Sequence, residues 1–521
     1  MKLVKILPDK IQIKTNDAEF NNSRINDLID VADKEVELVT MITAITDTDT
    51  DEQIGDETFL EELEQPSLKM IECSILGSII DGEFKNQIDR YPSTDVHIYK
   101  VNEHDFYYML SGNEARSDFC LGKYASYNVP AYIDGNKFYQ RHSCIVGNTG
   151  CGKSETVAKI MEETTRATNC NMIVFDIHGE YRKLSYVDNI DVGSDFAFPV
   201  WMLGFQSMCA NILKVREEST VTMSALRKAY YSQCHDVNES KPYPFSFLEM
   251  YKYIKMLNSE LVETGEYYKT GEKAGQAKTV KGEYNGKLSG IVNTIETLMS
   301  DKRYAFLFVD AGWEYLIEFI NRIMGGEKPV KNIDLSNVPH DVAIVIIGAI
   351  ASLIYHVQLQ QKREEIKPVT LVCDEAHVYI PVDFQLSASQ KRMVEIFENI
   401  AKEGRKFGIT LFVASQRPSE LNRTIMAQCA NYIVMKLNNE NDKTLIKGMM
   451  SEGSSAVIEQ TTMFVPGDVL VIGDAAPIAL KIHVDLAEER PASRTIDFWD
   501  EWKAGKQEAD YSLYLEEYLK N

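Results

Sequence analysis

Residues Gly147-Asn148-Thr149-Gly150-Cys151-Gly152-Lys153-Ser154 fit the pattern G-x-x-x-x-G-K-[ST] at every fixed position. The pattern constrains a fold strongly, because it works only between a buried strand and the helix that follows. Here the apolar run Cys144-Ile145-Val146 precedes it, and a helix-like stretch from Glu155 to Met161 follows. Glycines let backbone N–H groups crowd around a polyphosphate, and the helix turns its positive end toward the same charge. The expected cradle is Gly147, Asn148, Thr149, Gly150, Cys151, Gly152, Lys153, Ser154 and Glu155. Lys153 is expected at the β- and γ-phosphates, and the Ser154 hydroxyl at Mg²⁺. Cys151 reads as a small residue of the loop whose thiol would make the chain sensitive to thiol reagents.

A second apolar run, Leu371-Val372-Cys373, ends in Asp374-Glu375-Ala376-His377. Paired carboxylates at a strand end suit a metal–phosphate site. Asp374 is expected to hold the Mg²⁺ shell through water, and Glu375 to orient and deprotonate the attacking water. The next apolar run ends in Ser415-Gln416-Arg417-Pro418, which places Gln416 to sense a γ-phosphate. Asp176, at the tip of the run Met172–Asp176, is expected to second Asp374 on the metal. Hydrolysis in rings often waits for an arginine from the adjacent subunit. Arg405, in Glu403-Gly404-Arg405-Lys406-Phe407-Gly408, and Arg141, just before the first strand, are the candidates, with Arg417 a third. No Asn-Lys-x-Asp guanine-reading motif follows, so ATP is expected rather than GTP.

The 521 residues are too many for one ordinary domain, and 44% hydrophobic content supplies real cores. The net charge of −23 argues against a surface that coats nucleic acid throughout, but not against a ring with a locally basic pore. The stretch Asp47-Thr48-Asp49-Thr50-Asp51-Glu52 resembles the start of a calcium loop. However, Glu52 stands where the turn glycine belongs and Thr58 where the last carboxylate belongs, so a solvated acidic loop is expected. The nine cysteines show no metal spacing and read as reduced thiols. The opening residues lack a long apolar region, so no secretory leader is expected. The longest apolar stretch, Val342 to Tyr355, is short for a bilayer and reads as a buried helix. A cytoplasmic protein without a membrane partner is the resulting expectation.

Residues 1–138 alternate in short segments, which predicts a small β-barrel or sandwich, with Asp81-Gly82 as a hairpin turn. From about Gln140 short apolar strands alternate with helical stretches, which predicts an α/β sandwich over 139–490. Strands are expected at Ser143–Gly147, Met172–Asp176, Val369–Asp374, Thr410–Ala414, Tyr432–Lys436 and Asp468–Ile472. The rhythm lapses over about 202–330, read as a helical insertion. Within it, Lys269 to Lys287 has five lysines against two glutamates, either a phosphate-touching loop or a solvated linker. Residues 491–521 form a tail whose Phe498, Trp499 and Trp502 would pack on a neighbour or dock back on the core.

These motifs together resemble the HerA branch of the HerA/FtsK hexameric translocases. The most specific is Asp176-Ile177-His178-Gly179-Glu180-Tyr181, similar to that family's second-strand signature. The phosphate loop preceded by Arg141-His142, the Asp374–His377 box, Glu403–Gly408 and Ser415–Pro418 continue the likeness. The resemblance implies a RecA-like P-loop ATPase core with an N-terminal β-barrel, assembled as a homohexamer with ATP and Mg²⁺ between neighbours. It implies duplex DNA in a central pore and a partner, either a NurA-like nuclease or a nuclease or sirtuin-like effector of antiphage defence. Two function classes follow from it: a translocase or helicase, and an ATP-dependent assembly platform that recruits an effector. A small-molecule kinase would leave Gln416 and the Asp176–Tyr181 signature unexplained.

Overall fold

The computed structural model describes residues 1–48, 68–93, 95–111, 119–216, 218–235, 238–270, 272, 275–382, 386, 388–449, 457–493, 497–504 and 511–520. Most of the acidic stretch after Asp47, including Asp49, Asp51, Glu52 and Thr58, lies outside the described residues, as does part of the lysine-rich segment.

The N-terminal unit is an antiparallel sheet of β1 (Lys2–Ile6), β2 (Lys10–Lys14), β3 (Leu28–Ala32), β4 (Glu37–Thr48), β5 (Leu68–Ile80), β6 (Glu83–Lys85) and β7 (His97–Lys100). Its order is β1-β2-β5-β4-β3-β7, with β6 on β5, so β1 and β7 are the two ends of an open path. Alternation buries one face: Ile11, Ile13, Ile29, Val31, Ile71 and Cys73 make a small core of their own. Bulges in the β4–β5 ladder bend the sheet. Asp81 (φ 56°) and Gly82 (φ 80°) form the expected two-residue turn between β5 and β6. The unit is tied to the rest of the chain by Leu28, whose N–H donates to the Tyr127 hydroxyl (2.8 Å), and by the amides of Asn26 and Gln460.

The main domain is one eleven-stranded sheet. Its strands are β8 (Cys120–Tyr124), β9 (Pro130–Tyr132), β10 (His142–Val146), β11 (Met172–Asp176), β12 (Val187–Asp191), β15 (Val330–Asp334), β16 (Val369–Cys373), β17 (Ile409–Ser415), β18 (Cys429–Val434), β19 (Asp468–Gly473) and β20 (Lys481–Val484). The order is β12-β15-β11-β16-β17-β10-β18-β19-β20-β8-β9. The first seven are parallel, and the last four join antiparallel. Strands β10, β11, β16 and β17 are buried at every residue, as a sheet covered on both faces requires. β8 and β9 fall within 1–138 by sequence but are hydrogen-bonded into this sheet through β20.

The helix His340–Gln360 is 21 residues long and, by length and composition, apolar enough to cross a membrane. It outruns the apolar stretch Val342–Tyr355 because Gln358 and its neighbours continue the turns. Ile346, Ile350 and Ile354 are buried here, each contributing about 1.5–3 kcal/mol of apolar transfer. Gly348 lets the helix Ala388–Glu403 approach, since a Cβ there would fall 2.4 Å from the Met393 Cγ. The stretch between β12 and β15 is mainly helical, with Thr220–Tyr231, Phe247–Ser259, Ser289–Ser300 and Trp313–Met324. It also carries a separate ribbon of β13 (Leu261–Tyr267) on β14 (Ala277–Lys281). The short C-terminal helix Phe498–Ala504 does not dock on the core: Trp499 and Trp502 are 67% and 70% exposed.

Candidate active site

Parallel register brings the separated motifs together. β17 lies between β16 and β10, with Val413 beside Cys373 and Ser415 beside Val146. The segments leaving β10, β16 and β17 therefore emerge at one edge, the strand-end crevice where open α/β sheets bind ligands. The Gly147 N–H donates to the Ser415 carbonyl (3.3 Å) and the Asn148 N–H to the Lys436 carbonyl (2.9 Å). A Cβ on Gly147 would fall 2.6 Å from the Met435 Cβ. Gly152 holds φ 93°, the left-handed region where glycine is favoured, and caps the helix Lys153–Ala167. The first-turn N–H groups of that helix are open to an anion. Ser154 and Glu155 sit on this turn, and Glu155 Oε1 accepts from Arg490 Nη2 (2.9 Å) and Nε (3.1 Å). The Cys151 thiol is buried against Met435 Sδ (3.6 Å), and burial pushes it up to about 11. Burial and the raised thiol both work against the expected thiol sensitivity.

Facing the loop, Lys153 Nζ donates to Glu375 Oε1 and lies 3.9 Å from Asp374 Oδ1. Gln416 Nε2 donates to the same Glu375 oxygen, and Gln416 Oε1 accepts from the Thr149 hydroxyl. The structure thus joins Thr149, Lys153, Glu375 and Gln416 in one chain of contacts. Glu375 holds φ 45°, a left-handed conformation that strains a glutamate and is typical of functional turns. Its second oxygen, Oε2, is buried without a hydrogen-bond partner, and His377 Nδ1 stands 3.4 Å away. Burial raises Asp374 to about 7. Lys153 opposes that rise, while Glu375, Glu180 and Asp176 add to it. Burial also lowers His377.

Asp176 is not where the sequence put it. Its Oδ1 accepts from the N–H groups of His178 (3.2 Å), Gly179 (2.7 Å) and Glu180 (3.1 Å). Its Oδ2 accepts from the Tyr181 N–H (3.0 Å) and Asn332 Nδ2 (3.2 Å). A carboxylate offers about four lone-pair sites, so five donors leave none for a metal. Asp176 instead builds the turn that delivers Tyr181, whose hydroxyl donates to Asp374 Oδ2 (3.2 Å). Tyr181, Glu180 and His377 are the neighbours that motif reading passed over. The Glu-Tyr end of the second-strand signature was the only available pointer.

The two arginines lie elsewhere. Arg141 directly precedes β10, and Arg405 precedes β17, so both mark the strand-start edge. Five residues of β10 for Arg141 and seven of β17 for Arg405, roughly 16–24 Å of strand, separate these edges from the phosphate-loop edge. Arg141 pairs with Asp474 (2.7 Å), whereas Arg405 is exposed and has no carboxylate partner among the described residues. Arg417 is at the loop edge and pairs with Glu420 (2.9 Å).

A Mg²⁺ ion fits the residues present. Among the described residues no three His, Cys, Asp or Glu close into a ready metal cage. Mg²⁺ is ordinarily held by one or two carboxylates with phosphates and waters. Asp374 and Ser154 supply such a partial set, and the unpartnered buried oxygens of Glu375 and Glu180 supply acceptors around it.

The family described as helicase HerA, central domain, matches residues 119–354. The DNA double-strand break repair helicase HerA of Sulfolobus acidocaldarius is 25% identical over 472 residues, 88% of this chain and 87% of that protein. Its namesake from Saccharolobus solfataricus is 26% identical over 74% of this chain and 71% of its own length. Among solved structures, VirB4 of Thermoanaerobacter pseudethanolicus aligns with 71% of this chain and 97% of its own, at 15% identity and a TM-score of 0.49. With its phosphate loop and paired carboxylates the chain is a P-loop ATPase, and its residues 119–354 match the HerA central domain.

Proposed function

We propose that this ATPase works as a six-membered ring in the cytoplasm that moves on or unwinds duplex DNA, together with a nuclease or another effector subunit. The observation that carries this reading is the distance between Arg405 and its own phosphate loop, across the full strand length of the sheet. An exposed arginine on that edge serves a neighbour's nucleotide or none. Two curated relatives named DNA double-strand break repair helicases support the choice of DNA.

In this reading Lys153 leaves Glu375 for the β- and γ-phosphates when ATP enters, which frees a carboxylate oxygen to take the proton of the attacking water. Gln416 holds that carboxylate and, through Thr149, registers the state of the loop. Ser154 and Asp374 hold Mg²⁺, which when bound neutralises charge on the phosphates. Arg405 of the adjacent protomer completes the site, with Arg141 near it. Native mass measurement with an ATP analogue and a short duplex should show six protomers, and duplex DNA should raise turnover several-fold. Turnover indifferent to duplex DNA, alone and with any co-purifying partner, would remove the motor reading.

Asp374 adds a pH test. Metal binding needs its carboxylate ionised, so acid opposes binding. Mg²⁺-dependent nucleotide affinity should fall about tenfold per unit below about pH 7, and Asp374→Asn should flatten the profile. Fluorescent-nucleotide titrations at pH 6 and 8 read this directly.

A second reading, an ATP-dependent platform for an effector enzyme, is favoured by the exposed aromatic residues Phe498, Trp499, Trp502 and Tyr511 near the C-terminus. Such a surface suits partner docking.

A further inference from the structure

Glu180 lies in the Asp176 turn and is held from both sides. Its N–H donates to Asp176 Oδ1 (3.1 Å), and its carbonyl accepts from the Ala492 N–H (2.7 Å). Ala492 ends a strap that also grips the phosphate-loop helix. Arg490 pairs with Glu155 (2.9 Å), the Glu488 N–H donates to Glu162 Oε2 (2.7 Å), and Glu489 accepts from the Ser185 N–H and hydroxyl. The strap fixes the spacing between the helix that begins at Lys153 and the turn that carries Glu180.

The side chain so placed is left without a hydrogen-bond partner at Oε2, although that oxygen is buried. An unsatisfied buried acceptor costs about 1–3 kcal/mol, and more when charged, so a fold that anchors one needs a reason. The next residue supplies the context, because Tyr181 donates to Asp374 Oδ2 (3.2 Å). Four carboxyl groups, Asp176, Glu180, Asp374 and Glu375, share this corner; among the described residues Lys153 is the cation against Asp374 and Glu375, while Arg182, near Asp176, is engaged by Asp334. Asp176 is saturated by the turn, and Glu375 faces Lys153 and Gln416. Glu180 has no such engagement. What Glu180 Oε2 lacks is a donor, and the four carboxyl groups outnumber the cations beside them; a hydrated divalent cation brings both a donor and charge.

We propose that Glu180 is a further residue of the Mg²⁺ site, its buried Oε2 accepting a hydrogen bond from a metal-bound water. This rests on the Mg²⁺–ATP reading above. Partners of this outer kind typically carry 10–100-fold of metal affinity.

The test uses the full chain with a non-hydrolysable ATP analogue and Mn²⁺ as the paramagnetic substitute for Mg²⁺. In Glu180→Gln, the Mn²⁺ concentration for half occupancy, read by electron paramagnetic resonance, should rise at least about tenfold. Metal-free nucleotide binding should stay within about twofold. Glu180→Ala guards against a merely structural role. Deleting a half-buried carboxylate whose buried oxygen is unpaired should leave the melting temperature of the ligand-free protein unchanged or higher, while Mn²⁺ affinity falls as in the glutamine variant. Mn²⁺ affinity within twofold of wild type in both variants overturns the assignment of Glu180 alone. Wild-type protein whose nucleotide affinity is unchanged by Mn²⁺ or Mg²⁺ overturns the underlying reading with it.

Discussion

Replacing Lys153 by alanine should cut ATP turnover by at least about 10²–10³-fold, the scale of losing one positioned donor to transition-state charge. The ammonium has two duties here. It is expected to clamp the phosphates, and in the ligand-free protein it is, among the described residues, the lysine or arginine paired with buried Glu375 and Asp374. Breaking a buried pair by removing one partner is destabilising by about 3–5 kcal/mol, so Lys153→Ala should also melt earlier without nucleotide. Glu375→Gln is the matched control. It should lose turnover on a similar scale yet bind nucleotide at least as tightly, since the amide no longer competes with phosphate for Lys153. Ring assembly and support of a partner enzyme, measured on the same two variants, separate the two functional readings. A motor fails with either change. A platform survives Glu375→Gln, which still binds ATP.

The second large effect is expected at Arg405. Arg405→Ala should lower turnover by about 10³-fold or more while leaving nucleotide affinity nearly intact, because a trans arginine acts on the transition state. Mixing gives the sharper result. Arg405→Ala protomers retain an intact phosphate loop, and Lys153→Ala protomers retain an intact arginine edge. In a random equal mixture roughly a quarter of head-to-tail seams would join one good half of each. Turnover should therefore reappear on mixing two inactive proteins. No recovery, with mixed rings demonstrated by mass, would remove Arg405 from the neighbour's site, and the same experiment with Arg141→Ala would test the alternative.

What could be read from the chain, and what could not, divides along a physical line. The phosphate loop, the Asp374-Glu375 pair and Ser415-Gln416 were legible because each is local: an apolar run buried on both faces, then the residues that leave it. All six strands expected in the main domain are present, for the same reason. β12 and β15 escaped because Val-Asp-Asn-Ile-Asp and Val-Lys-Asn-Ile-Asp do not look like core. In the fold, buried Lys331 donates to Asn171 Oδ1 (2.9 Å) and buried Asp334 pairs with Arg182, so partners far along the chain make these polar strands tolerable. Asp176 was misplaced for a related reason. Its residue type suits a metal, but five donors from its own turn and from Asn332 consume it.

By itself, then, the chain determined the kind of chemistry: a polyphosphate cradle, a carboxylate pair and a polar sensor, each set by neighbours within a few residues. Only the tertiary structure decided the partners. It set β17 between β16 and β10, so that Gln416 bridges Thr149 and Glu375. It also placed Arg405 at the opposite edge, out of reach of its own loop, because parallel strands send their starts and their ends to opposite sides of a sheet.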